Sequence, residues 1–246
     1  MDSNAADKSL LVYARIAGFM YLFVMAAFLA GFGIAFHLIV PGNFTETARN
    51  ITASERLFRV GLSSQLIASW TTILLGGAFY ALLRTVDENL ALFALLWRVA
   101  EAVIGGVIPV FSFMALSIYT GRVSAFGVPE RQALVNLLLR GYAAGFYIAV
   151  IYFSLGSIIF FYLLLKSRFI PRILSAFGIV ASVLIPVLGF ASLIFPERAA
   201  ALTLGWAPMF VAEIATGLWL LVAGANLTYW NNRRQDPRTT PDPVSR

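Results

Sequence analysis

Long stretches without a charged residue recur along this chain, and they constrain its fold more than any other feature. They cover residues 16–43, 60–83, 102–121, 141–165 and 173–196. Each is long enough to cross about 30 Å of hydrocarbon as an α-helix. In lipid, backbone polar groups must bond within their own segment, and the stretches show no alternation of polar and apolar residues. The stretches are therefore predicted to be transmembrane helices.

The composition supports a membrane protein and excludes several kinds of site. Hydrophobic residues make up 60% of the chain and charged residues 12%, about half the charged fraction of a soluble domain. The chain has no cysteine and one histidine, His37, which removes disulfides, thiol chemistry and paired-histidine metal or haem sites. No cofactor is predicted. The net charge of +6 is spread over short loops, so no nucleic-acid partner is expected.

Turn residues divide the chain into six predicted helices, and the fold class is an all-α polytopic bundle of six transmembrane helices. The first predicted helix covers residues 10–40, the second runs from a capping box at Thr52 to about residue 83, and the others cover residues 90–119, 129–166, 172–195 and 208–230. Pro109 should bend the third of them, and Thr52 with Glu55 matches a capping box at the start of the second. The transmembrane domain is predicted at residues 1–230, and a disordered polar tail at 231–246.

The charge of the loops predicts the orientation of the bundle. Six spans place both termini on one side of the membrane. In this arrangement ten Lys and Arg residues lie on the side of the termini and six on the other side. Because cytoplasmic loops carry an excess of Lys and Arg, both termini are predicted to be cytoplasmic.

Several short motifs resemble one family of bacterial multi-pass membrane proteins. The motifs are Ala14-Arg15-Ile16-Ala17-Gly18, Arg59-Val60-Gly61-Leu62, Trp97-Arg98-Val99-Ala100-Glu101-Ala102, Ser167-Arg168-Phe169-Ile170-Pro171-Arg172-Ile173-Leu174, and Glu213 with the stretch 218–224. Together they resemble domain of unknown function 4386 over nearly the whole chain. One departure is Ser175, where the family commonly has Gly. The resemblance implies a bacterial inner membrane location and carries no activity.

Arg98 and Glu101 are the first candidate site, because they lie inside an apolar segment. Counted at 1.5 Å per residue, they should lie about 13 Å and about 18 Å above the boundary on the side of the termini. Their spacing of three residues lets them face each other on one helix, and charges at that depth cost roughly 2.5–3.5 kcal/mol each. The pair could lock helices together, form part of a ligand or ion site, or relay protons. Hydroxyl and amide groups at broadly similar depths could extend it into a polar network: Thr71, Thr72, Ser154, Ser157, Ser182 and Asn226.

A second candidate site is predicted near the opposite membrane surface. The same count places Glu213, His37, Arg59 and Arg140 at about 30–39 Å, and we expect Arg140 to pair with Glu213. Such groups could form a pocket for an anionic headgroup or small acid, or simply a solvated rim. Arginines at that level can also reach lipid headgroups.

These sites favour non-enzymatic binding of a lipid-like or small amphipathic ligand in an intramembrane polar cavity. The alternative is a structural or accessory subunit that contacts other membrane proteins. Gly141 and Gly145 have the spacing that allows close helix approach, within the chain or between chains. A small-molecule transporter is a further alternative, although no internal repeat supports it. Membrane lipids are the expected surroundings in every case.

Overall fold

The computed structural model describes residues 3–123 and 125–235, and within them the chain is built from helices without a strand. The α-helices are α1 (Ser3–Leu38), α2 (Phe44–Ala53), α3 (Glu55–Leu83), α4 (Glu88–Val107), α5 (Pro109–Tyr119), α6 (Val128–Ser167), α7 (Arg172–Ile194), α8 (Ala199–Leu202), α9 (Ala207–Val222) and α10 (Leu227–Gln235). Short 3-10 turns, Pro196–Arg198 and Thr203–Trp206, flank α8.

Six segments of the described chain are long and apolar enough to cross a membrane, which confirms the predicted all-α polytopic bundle. They are Asp7–Ala35, Glu55–Leu83, Glu88–Tyr119, Val128–Ser167, Arg172–Ile194 and Pro196–Val222. The third divides into α4 and α5 at Ile108, directly before Pro109, as the sequence predicts. Pro186, by contrast, lies inside an unbroken α7.

The spans pack as a closed ring. α1 packs against α3, α3 against α4, α4 against α6, α6 against α7, α7 against α9, and α9 returns to α1. The main apolar core fills the ring toward the end that carries the chain termini, where Phe79, Phe161 and Phe169 are almost fully buried. A smaller core lies at the distal end, around Ile51 and Leu116. A ring of six helices leaves an axial space between the two cores.

Contacts at the two ends fix this arrangement. The Asn231 amide donates a hydrogen bond to the Asp7 carboxylate at 2.7 Å, so the described beginning and end of the chain meet at one end, which we call the terminal end. At the distal end, the Glu55 carboxylate accepts from Arg59 at 2.8 Å and from Arg122 at 2.7 Å. These contacts hold the corner between α2 and α3 against the segment that follows α5.

The start of α3 differs from the predicted capping box. Thr52 belongs to α2, and its hydroxyl donates to the Tyr119 carbonyl oxygen at 3.3 Å. Ser54 caps α3 without a side-chain hydrogen bond, and Glu55 is engaged by the two arginines. The box was a wrong prediction because partners distant in the chain compete for both of its side chains.

The last predicted helix, residues 208–230, is also shorter than expected. α9 ends at Val222, and Gly224 has a φ of +72°, a left-handed conformation that glycine adopts without strain. The Asn226 N–H then donates to the Phe169 carbonyl oxygen at 2.9 Å, and α10 begins at Leu227. The first residues of the predicted tail belong to α10, and residues 236–246 lie outside the described part of the chain.

Candidate functional site

A cavity of about 160 Å³ lies inside the ring of spans. Its lining residues come from all six spans: Tyr21, Val24, Met25, Phe28, Gln65, Ala68, Ser69, Thr72, Arg98, Glu101, Ala102, Gly105, Ile108, Tyr142, Phe146, Ala149, Val150, Phe153, Ile185, Trp206, Met209, Phe210 and Glu213. Arg98 and Ile108, both in the lining, are ten residues apart, so the cavity extends about 15 Å along the bundle. The charged groups gather at one end of it, and most of the aromatic groups lie toward the other.

Arg98 and Glu101 form the predicted ion pair, and the pair faces the cavity. Arg98 Nη1 lies 2.9 Å from Glu101 Oε2, and the two side chains are 3% and 18% exposed. The guanidinium also lies over the Phe153 ring, 4.8 Å from its centroid. Nη1 and Oε2 are not aligned as a hydrogen bond with each other or with another described residue. The attraction between them is therefore chiefly electrostatic, and both atoms keep hydrogen-bonding capacity.

Two glycines make room for the buried arginine. A Cβ atom at Gly76 of α3 would lie 3.3 Å from Arg98 Cβ, and one at Gly156 of α6 would lie 3.0 Å from Arg98 Cδ. These are tighter than ordinary van der Waals contacts. The neighbouring helices thus approach the arginine stem on two sides and limit its movement.

Glu213 joins this charged end of the cavity, which corrects its predicted position at the distal rim. It lines the same cavity as Arg98 and Glu101. Tyr21 of α1 lines the cavity as well. The depth prediction was wrong because it counted from the end of a continuous helix reaching residue 230, whereas α9 ends at Val222.

The remaining predicted rim residues do not assemble around Glu213. His37 and Arg140 are exposed, and none of the ion pairs among the described residues includes Arg140. Arg59 pairs with Glu55, one helical turn away. The Arg140–Glu213 pair is therefore wrong, because Glu213 lies deeper and Arg140 points away from the buried interior.

The predicted polar network around the pair is mostly replaced by bonds within single helices. The Ser154, Ser182 and Thr71 hydroxyls donate to carbonyl oxygens three or four residues earlier in their own helices. Thr72 does the same and also lines the cavity. Asn226 lies at the terminal end, where its side chain accepts from the Thr228 N–H. Hydroxyls satisfied in this way do not need the charged pair.

Aromatic and amide groups form the distal part of the cavity. The Tyr142 hydroxyl donates to Gln65 Oε1 at 2.8 Å and so links α6 to α3. The Phe146 ring stacks on Trp206 with centroids 5.4 Å apart and an angle of 11° between the planes, and on Phe28 at 6.0 Å. The wall here is largely apolar and presents ring faces and edges.

Sequence reasoning missed Tyr21, Gln65 and Tyr142, although two of them carry a signal. Tyrosines of membrane helices concentrate near the interfaces, whereas Tyr21 lies eleven residues into the first predicted helix. Gln65 is an amide within an apolar span, and such residues usually face the bundle interior. The positions of Tyr21 and Gln65 in the sequence therefore indicate side chains that face the interior of the bundle.

A family model confirms the resemblance drawn from the motifs. The model described as domain of unknown function (DUF4386) matches residues 16–224. The chain belongs to this family. The match includes every residue that lines the cavity, so the cavity lies within the DUF4386 region. No curated protein and no solved structure matches the chain.

Proposed function

We propose that this DUF4386 protein binds a small amphipathic molecule in the cavity at the centre of its bundle. The observation that carries the proposal is the placement of Arg98, Glu101 and Glu213 at one end of an otherwise apolar cavity. A charge inside a membrane protein is costly, so it is expected to have a structural partner or a functional role. Here the charges border a space large enough for a ligand.

The size of the cavity favours a small ligand over a whole lipid. Its volume is about 160 Å³, and an apolar protein cavity of about 150 Å³ is known to bind benzene. A compact molecule with one polar end would fill the space and leave its polar end beside the charges. A lipid-like ligand could insert only part of its length.

The packing glycines support this proposal over an accessory-subunit role. A Cβ atom at Gly141 would lie 3.0 Å from the Phe111 ring, and one at Gly145 would lie 2.9 Å from Ile108. Both glycines therefore serve the packing of α6 against α4 and α5 inside the chain. Neither glycine is therefore evidence for a partner helix.

The test is mass spectrometry of small molecules retained after purification in mild detergent. The wild type should carry a species that the Arg98→Ala/Glu101→Ala double variant loses. The control is Glu46→Ala/Arg49→Ala, because this ion pair has the same three-residue spacing but is exposed on α2. Identical retained molecules in the wild type and both folded variants would contradict the proposal.

We further propose that both termini face the cytoplasm of a bacterial inner membrane, as the bias of Lys and Arg supports. The chain lacks cysteine, so single cysteines can report sidedness. A membrane-impermeant maleimide applied to spheroplasts should label Thr45→Cys and should label Asn232→Cys only after permeabilisation. The reverse pattern would refute this orientation.

A further inference from the structure

The charged end of the cavity contains two carboxyl groups and one guanidinium. Its titratable lining residues are Tyr21 from α1, Arg98 and Glu101 from α4, Tyr142 from α6 and Glu213 from α9; α3 and α7 contribute none. With both carboxyl groups ionised, two negative charges face one guanidinium. A ligand with a single positive charge would then bring the net charge at this end of the cavity to zero.

Arg98 already forms an ion pair with Glu101. Its Nη1 atom lies 2.9 Å from the Glu101 carboxylate, and its guanidinium lies over the Phe153 ring. Gly76 and Gly156 confine its stem, as described above. None of the ion pairs among the described residues includes Glu213. Glu213 is therefore the carboxylate that lacks an ion pair of its own, and Tyr21 lines the same cavity.

The walls around Glu213 suit an organic cation. Phe153 and Tyr21 lie at the charged end, and Phe28, Phe146 and Trp206 continue toward the distal end. Aromatic faces attract ammonium groups, and the attraction grows when water is excluded. An anion would meet two carboxylates in a medium where like charges repel strongly.

We infer that the ligand is a small hydrophobic amine whose ammonium group binds the Glu213 carboxylate while its apolar part lies among Phe28, Phe146 and Trp206. This inference rests on the proposed function and names the chemical class of its ligand. The ammonium donates to Glu213 and lies beside the Tyr21 ring. The volume limits the apolar part to about the size of one benzene ring.

The test uses three probes of one shape and different charge: benzylamine, benzyl alcohol and benzoate. Isothermal titration calorimetry at about pH 7, where benzylamine is a cation, measures each against the purified full-length protein in detergent. Benzylamine should bind tightest and benzoate weakest. In Glu213→Gln, which keeps the shape of the side chain, benzylamine should bind about thirtyfold more weakly, the equivalent of ~2 kcal/mol, while benzyl alcohol should bind as before. Glu197→Gln is the matched control, because Glu197 is an exposed glutamate of the distal segment.

Each other outcome overturns the inference in an identifiable way. If benzyl alcohol binds wild type as tightly as benzylamine, the cavity carries no net negative charge, and the proposed binding function stands without its cationic ligand. The same conclusion follows if Glu213→Gln leaves benzylamine binding unchanged. If none of the three probes binds the folded protein, the inference fails, and the retained-molecule experiment then decides the proposed function separately.

Discussion

For Arg98, the sequence predicts the depth and the partner on the same helix but not the surroundings of the side chain. Its depth and the position of Glu101 three residues later follow from the sequence, because both lie on one helix with a known rise. The space that the guanidinium occupies does not follow, since Gly76 and Gly156 come from two other helices. Sequence spacing predicts partners on the same helix, whereas partners across a bundle depend on which helices become neighbours.

The buried pair should be essential for stability at the level of single residues. Arg98→Met leaves the Glu101 carboxylate without its cation. Glu101→Gln removes the carboxylate that pairs with the guanidinium and leaves Glu213 as the other carboxylate in the cavity lining. Breaking a buried ion pair on one side costs about 3–5 kcal/mol. Both variants should therefore melt well below wild type when unfolding is followed by circular dichroism in detergent.

The exposed pair on α2 provides the control for this prediction. Arg49 and Glu46 lie 3.5 Å apart with side chains 75% and 42% exposed, and exposed pairs contribute little to stability. Arg49→Met should melt with the wild type. Equal melting temperatures for Arg98→Met, Glu101→Gln and wild type would show that the pair contributes nothing to the fold.

At the scale of elements, helix existence is predictable and helix ends are less so. Uncharged stretches long enough to span a membrane place five of the six spans, because lipid leaves the backbone no alternative to a helix. The end of α9 depends instead on Gly224 and on the hydrogen bond from Asn226 to Phe169. That bond joins positions far apart in the chain, and it moves Glu213 from an expected rim to the cavity.

The contact of α1 with α9 depends on a close approach at Gly18. A Cβ atom there would lie 2.7 Å from the Gly217 carbonyl oxygen, and backbone atoms of Leu221 are also in the way. Since the obstacle is backbone, Gly18→Ala should force the helices apart and lower stability by about 1–3 kcal/mol, measured as a fall in melting temperature.

Gly33→Ala is the matched substitution for Gly18→Ala. Gly33 lies on the same helix as Gly18, and a Cβ atom at Gly33 would meet nothing within 4 Å. Because alanine favours a helix more than glycine does, this variant should melt no lower than wild type. A Gly18→Ala variant as stable as Gly33→Ala would contradict the packing of α1 on α9.

At the scale of the whole molecule, the ring of six spans explains why the cavity exists. Each span packs against two neighbours, and the two apolar cores occupy the ends of the bundle. The charged and aromatic groups lie in the space between them. No single span predicts this space, because its lining combines a few residues from each of six helices.

The most direct test of ligand binding fills the cavity with a larger side chain and measures the mass of the intact protein. Ala149 lines the cavity on α6, whereas Ala176 is exposed on α7. Native mass spectrometry from detergent should show wild type and Ala176→Phe carrying one additional small molecule, and Ala149→Phe carrying none. The same additional mass on a folded Ala149→Phe variant would show that the molecule binds elsewhere and would contradict the assignment of the cavity as the binding site.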